Sequence, residues 1–469
     1  MKVFTTKTRH FIWGTALLFS LICMLWVVPV KQVAAESVPV NTGSIVNLPG
    51  QVTADNNFAF NADGKYGVIA PHLPVAQSSD PLTGRAVYVF DAQTGQILDQ
   101  KLAGYFPTSV TVHSSSGLVA VRHAGNRVEG SPESQGVLQQ ASISVYKLSG
   151  STLEPQFTVA LPSFDPNDST PSPIGLDTVL FSGNGKYLIA SNGTALLTYA
   201  TDEGLADNQR LVDRKQVFTR EEFPSKQLIG FDIDPSFGSL VAFGVSENRY
   251  LISPLRLDET GGIRPYSGDQ VAFIELLSGD VLGQNTKVAF DLYGSQFMVG
   301  SSSSGRVYVY RMDTQTEGLP ISWITIDDLT LNLAEANDQG IQIQFNQATR
   351  KAFLTRPGYL TRPGYLTRPG YIAMFGVDTD AKFSQINTFG SDDNIQDAHL
   401  SPDGNTIYVL SAMGSILEYT TDGSLTSAHP ISVAGMKLTV GNDGALGVLG
   451  WGGTEENSTS QVQVVSAQK

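Results

Sequence analysis

Only five histidines follow residue 35 (His72, His113, His123, His399 and His429), so any hydrolytic or transition-metal chemistry has to be built around them. His72 and His123 stand in two long polar connections, 71–85 and 122–140. There they could meet at one end of a scaffold, with Arg122 and Arg127 beside them. Two imidazoles and a carboxylate suffice for a metal site. The plainer reading is ordinary surface histidines, since no HExxH-type spacing is present. His113 and His399 fall in strand-like apolar stretches and read as local polar partners. The acid-rich stretches DPNDS (165–169), DD (327–328) and SDDN (391–394) offer the oxygen ligands that calcium takes. None follows the twelve-residue EF-hand pattern, and Asp and Asn in loops also serve turns. No cofactor is identified; calcium is the metal left open. There is neither GxxxxGK[ST] nor GxGxxG after a strand, so no nucleotide cradle is evident. For sugar stacking, only Trp323 and Trp451 lie beyond the first 35 residues.

The most unusual segment is LTRPGYLTRPGYLTRPGY, three perfect hexapeptides over residues 354–371. It sets Arg356, Arg362 and Arg368 at a six-residue period, with Tyr359 and Tyr365 between them. Removing two copies leaves KAFLTRPGYIAMFGV, a hairpin with a Pro-Gly turn, so a duplication that merely lengthened one loop is the bland reading. The sharper reading is a displayed arm. Arg and Tyr dominate interface hot spots, and such an arm suits an acidic or aromatic partner.

The arm is set in an acidic chain. Thirty basic and 44 acidic residues give 30 − 44 = −14 over 469 residues, which argues against binding nucleic-acid phosphate through bulk charge. Lys2, Lys7 and Arg9 precede an apolar run from Phe11 to Val30, and Val33-Ala34-Ala35 supplies small residues for cleavage before Glu36. Residues 1–35 therefore read as a signal peptide, and 36–469 as the exported domain, periplasmic or extracellular. An uncleaved anchor is the rival reading, and a lipid-modified Cys23 a lesser one. No later segment is apolar enough to span a membrane as a helix. Cleavage would remove the sole cysteine and leave 26 − 44 = −18. Disulfides, thiolate metal sites and cysteine nucleophiles would then be excluded.

The elements that must position these residues come from an internal repeat. Its first half recurs eight times: 58–70, 110–121, 179–191, 229–244, 288–301, 341–354, 398–411 and 436–450. A second half follows at 86–98, 143–153, 271–282, 306–318 and 415–425. Each half alternates Val, Ile, Tyr and Phe around an Asn-Gly, Asp-Gly or Ser-Gly turn, the signature of a hairpin. Two hairpins make a four-stranded sheet that cannot bury both faces alone, so neighbours must stack around an axis. The expected fold is all-β, a single β-propeller of four-stranded blades. Eight blades are expected, with seven as the runner-up, and SIVNLP (44–49) closes the ring beside the C-terminal strands.

LSPDGNTIYVLS, SILEYTTDGSL and VYVFDAQTGQIL resemble the YVTN and lactonase-like propeller repeats of exported bacterial proteins. The resemblance spans nearly the whole exported domain and implies the fold; as an activity it implies lactone hydrolysis at a polar or metal-assisted site in the channel mouth, which no residue cluster independently supports. Turns within hairpins are short, whereas connections at 71–85, 122–140, 256–269 and 355–370, and 162–176 between units, are long. Long loops on a rigid scaffold carry binding. The expected function is a non-catalytic propeller that binds a protein or envelope component through one loop-rich face, lactone hydrolysis being the alternative. A quinoprotein-like redox propeller is a weaker third reading, given the missing cysteines and few tryptophans.

Overall fold

Tight turns fix the local structure. In NADGK, GNGK and PDGN the glycine holds a left-handed φ (Gly64 68°, Gly185 69°, Gly404 69°), which L-residues with a Cβ resist. The residue opening each turn caps it: Asn61 Oδ1 accepts the Tyr66 N–H at 2.9 Å, Ser182 Oγ that of Tyr187 at 3.0 Å, and Ser401 Oγ that of Thr406 at 2.9 Å.

The computed structural model describes residues 45–48, 58–71, 85–104, 107–123, 141–161, 178–193, 195–218, 227–234, 236, 238–246, 249–266, 273–276, 280, 282, 286, 288–291, 293–301, 304–313, 322–330, 342–346, 351–356, 359–362, 365–368, 370–377, 383–391, 395–441, 444–452 and 459–466. All lie in the unit Val40–Lys469; the expected signal peptide lies outside them. Strand β1 (Ile45–Leu48) comes first. Sheets then follow in chain order: β2 (Phe58–Phe60), β3 (Tyr66–Ile69), β4 (Ala86–Asp91), β5 (Ile97–Leu102); β6 (Pro107–Val112), β7 (Leu118–His123), β8 (Ser142–Ser149), β9 (Thr152–Ala160); and β10 (Val179–Phe181), β11 (Tyr187–Ser191), β12 (Ala195–Ala200), β13 (Leu211–Gln216). Next are β14 (Gln227–Ile233), β15 (Ser239–Ser246), β16 (Arg249–Leu257), β17 (Ile263–Pro265), β18 (Ile274–Glu275); then β19 (Ala289–Phe290), β20 (Gln296–Gly300), β21 (Ser304–Arg311), β22 (Ser322–Thr330). The remainder are β23 (Gln342–Asn346), β24 (Lys351–Arg356), β25 (Tyr359–Arg362), β26 (Tyr365–Arg368), β27 (Gly370–Val377), β28 (Phe383–Ser391); β29 (Ile395–Leu400), β30 (Thr406–Ser411), β31 (Ser415–Thr420), β32 (Leu425–Pro430); and β33 (Ala434–Val440), β34 (Ala445–Gly452), β35 (Thr459–Ser466).

These strands form an antiparallel β-propeller. Seven sheets have four strands, including β23-β24-β27-β28 and β1-β35-β34-β33, where β1 pairs Ile45 to Gln463 and joins the two ends of the chain. Eight four-stranded blades were expected, with seven as the runner-up; seven four-stranded sheets are found, and the unit at 227–276 departs from the pattern. Its sheet has five strands: the outer position is split between β17, which pairs Leu257↔Ile263, and β18, which pairs Ile252↔Ile274. Pro265 ends β17, because it brings no N–H to the ladder. The stretch 271–282, expected to be a hairpin, contributes only β18 among the described residues, and RYLISPLRL (249–257), which falls between the expected repeat halves and runs into the expected connection 256–269, is the third strand. The pair Asp327-Asp328, expected in a loop, lies inside β22.

Apolar side chains fill the seams between successive sheets, as Ile143, Val159, Phe181 and Leu197 do between the sheets of β6–β9 and β10–β13. Carboxylates cross the seams as well. Asp99 Oδ2 accepts the N–H of Leu153 at 2.8 Å, Asp213 that of Ile263 at 2.7 Å, Asp232 that of Val288 at 3.2 Å and Asp397 that of Leu438 at 2.9 Å. On β33 a register slip between Gly435 and Lys437 precedes Leu438. Such bulges leave ladder groups unpaired, and the neighbouring sheet's carboxylate supplies the acceptor.

The ring-closing seam is aromatic. Phe58 lies 4.9 Å from Phe60 and 5.8 Å from Phe90, centroid to centroid. A Cβ on Gly67 would stand 2.2 Å from the Phe90 ring, and one on Gly447 2.4 Å from that of Phe58. Gly67→Ala is expected to cost about 1–3 kcal/mol by overpacking, read from the urea midpoint. Pairing it with Phe90→Leu should recover part of that loss; if the single variant is neutral, the seam is looser than described.

Candidate functional site

The strand connectivity defines two ends. Turns joining strands one to two and three to four lie together: Tyr187 Oη donates to Glu259 O at 2.9 Å, Ser239 Oγ to Gly294 O at 2.6 Å and Lys351 Nζ to Thr421 Oγ1 at 3.0 Å. The opposite end receives the connections from strand two to three and from sheet to sheet. The long segments leaving β3, β7, β9 and β24 all depart from it. The segment 256–269, expected on the same face, does not: it holds the β16–β17 turn at the tight-turn end. There Asp258 Oδ1 accepts the N–H groups of Thr260 at 2.9 Å and Gly262 at 2.8 Å.

His123 and Arg122 are not loop residues. They end β7 at the loop-bearing end and are 1% and 3% exposed. Successive strand residues point to opposite faces, so the two enter different seams. Arg122 reaches forward, Nη1 to Thr178 O at 3.5 Å. His123 faces the preceding sheet, where a Cβ on Gly104 would stand 2.8 Å from its ring. Arg122 and His123 therefore point away from each other. His72 and Arg127 lie outside the described residues.

Burial lowers the His123 pKa to about 3, and both ring nitrogens lack a hydrogen-bond partner among the described residues. An unfolded histidine titrates near ~6.5. The neutral ring thus contributes its full stability above that value and loses it as pH falls from there toward 3. The slope is about 1.4 kcal/mol per pH unit, so about 2 kcal/mol should be lost between pH ~6.5 and ~5. Urea titrations across this range would measure the slope. His123→Leu should flatten it, and an unchanged slope in the variant would assign the acid sensitivity elsewhere.

Three polar clusters were not legible in the sequence. In the first, Ser427 Oγ and Glu418 Oε1 both meet His429 Nε2, at 3.0 and 2.7 Å. A hydrolytic triad needs the serine and the acid on opposite ring nitrogens; here one nitrogen takes both, and Nδ1 is buried without a partner among the described residues. The second joins the buried Asp397 to His399 Nε2 at 3.5 Å. Burial pushes the Asp397 carboxyl up, but His399, Lys437 and the Leu438 N–H outweigh it and hold the group below the usual carboxylate range. The third is Asp280, 4% exposed, which accepts the Tyr308 hydroxyl and lies 3.3 Å from Arg306 Nη1. Burial, first, and Asp280 then raise the Tyr308 pKa. Asp280 reads in sequence as an ordinary turn residue (LLSGDVL), so only the fold reveals its role. Among the described residues no three His, Cys, Asp or Glu are grouped to hold a metal.

The hexapeptide segment takes a definite backbone form. The β24–β27 ladder runs from Lys351↔Gly376 to Arg356↔Tyr371. Beyond it β25 and β26 make a separate two-stranded ladder, with Tyr359↔Arg368 and Arg362↔Tyr365 as its outer pairs. Arg356, Tyr359, Arg362, Tyr365 and Arg368 thus lie along one projection from the loop-bearing end.

Among the described residues no helix is long and apolar enough to cross a membrane. No family model matches the chain, and no curated protein matches it. Solved structures are similar at low identity. A Lactobacillus plantarum protein is 15% identical, covers 79% of this chain and 98% of its own, and superposes with a TM-score of 0.49. A Bacteroides fragilis protein provisionally assigned as a 6-phosphogluconolactonase is 14% identical over 84% of this chain and 97% of its own, with a TM-score of 0.45. A chain of the mitotic checkpoint complex is 10% identical over 81% and 96%, with a TM-score of 0.47.

Proposed function

We propose that this chain is an exported, non-catalytic β-propeller that binds a protein or cell-envelope component through its loop-bearing end. One observation carries the reading: the β25–β26 ladder is an addition that the sheet does not need. The four-strand path β23-β24-β27-β28 is complete without it, and the ladder it extends already closes at Arg356↔Tyr371. A projection rich in Arg and Tyr at the end that also receives the long connections suits recognition. Export rests on residues 1–35 read as a signal peptide.

The test against hydrolysis is a lactone panel assayed with the full exported domain, with and without chelator. No turnover above buffer is expected. Turnover that chelator abolishes would replace the binding reading with the lactonase-like one.

A further inference from the structure

Resting on that reading, we propose that the β25–β26 hairpin docks on the tight-turn end of a second copy of this chain, so that copies associate head to tail. Among the described residues the hairpin strands pair only with each other, and a lone two-stranded hairpin is marginally stable in water, so a surface that receives it gains something to bind. Charge selects the surface. Residues 354–371 carry three arginines and no acid, while the other 451 residues carry 27 − 44 = −17.

Turn chemistry places exposed acids at the end opposite the hairpin. Asp202 and Glu203 in the β12–β13 connection, Glu259 in the β16–β17 turn, and Asp403 and Asp422 in the last turns before β30 and β32 are all exposed there. Lys65, Lys186 and Arg256 are exposed among them, while Arg264 is engaged by Asp258 and Asp213, each at 3.2 Å, and Arg311 by Asp313. Both halves of the complementarity are therefore on one molecule, at opposite ends. A contact between unlike surfaces is heterologous, and it generates open chains or a ring, not a symmetric dimer.

Sedimentation velocity on the full exported domain, over a concentration series at low and high salt, tests this. Wild type should shift to faster-sedimenting species as concentration rises at low salt, and the shift should shrink at high salt as the charges are screened. A variant lacking residues 357–368, and the triple variant Arg356→Glu, Arg362→Glu and Arg368→Glu, should each sediment as a single copy throughout. Asp202→Lys/Glu203→Lys should do the same alone, and should associate again when mixed with the triple variant. Wild type remaining a single copy at every concentration would overturn the proposal, as would variants that associate as wild type does. Neither result touches the binding reading, which fails only if capture of an external component is independent of the hairpin.

Discussion

Deleting residues 357–368 is expected to leave the propeller folded while weakening partner binding by two orders of magnitude or more. The deletion joins Arg356 to Pro369-Gly370-Tyr371, and Arg356 already pairs with Tyr371 at the end of the β24–β27 ladder. The register is therefore right for a two-residue Pro-Gly turn, and no strand of the four-stranded sheet changes partner. Shortening the connection lowers its closure entropy, worth up to about 1–2 kcal/mol in favour of folding. The thermal midpoint should hold or rise. The deletion removes two Arg and two Tyr, and hot-spot residues of these types each contribute ~2 kcal/mol or more. Loss of even two such contacts corresponds to about 1,000-fold in Kd. A titration of the partner into both forms, beside their melting curves, reads both halves. A deleted form that unfolds would show that the hairpin is structural.

The second large effect concerns Asp280. Its carboxylate is buried between the phenol of Tyr308, itself 1% exposed, and the guanidinium of Arg306, and it ties the stretch after β18 to β21. Asp280→Ala should cost about 3 kcal/mol. Breaking a buried pair costs about 3–5 kcal/mol, but the Arg306 side chain is 34% exposed and can rehydrate. Most of the loss is then the Tyr308 hydroxyl left buried without its acceptor. Asp280→Asn keeps an acceptor and should cost about 1 kcal/mol. Urea unfolding of the two variants and of Tyr308→Phe would check the order. An alanine variant no worse than the asparagine one would mean that the hydroxyl finds another acceptor.

What the sequence disclosed follows from the range of the interactions. Turn glycines and caps act over five residues, so the hairpins of NADGK, GNGK and PDGN were legible, and so was the closure of the ring by SIVNLP, whose alternation matches an outer strand. The split outer strand at 263–275 was not: the choice of β16 as the third strand depends on pairing across Phe243↔Ile252, not on local pattern. His123 stood beside a polar stretch and read as a loop residue. Only the pairings His123↔Ser142 and Pro107↔His123 place it in a strand end, facing a seam. The Asp280–Tyr308 and Asp397–Leu438 contacts join residues 28 and 41 positions apart, and no spacing rule anticipates them. The hexapeptide was the exception. Its perfect repetition marked it as added, and the structure sets two copies outside the sheet.

The measurement that bears most directly on the binding reading is paired capture from the organism's own envelope extract. The baits are residues 36–469 and the same stretch lacking 357–368, with each captured component then titrated in purified form. The account predicts a component held by the first and lost by the second, at equal folding of the two baits. Equal capture by both, or lactone turnover with no captured component, would contradict it.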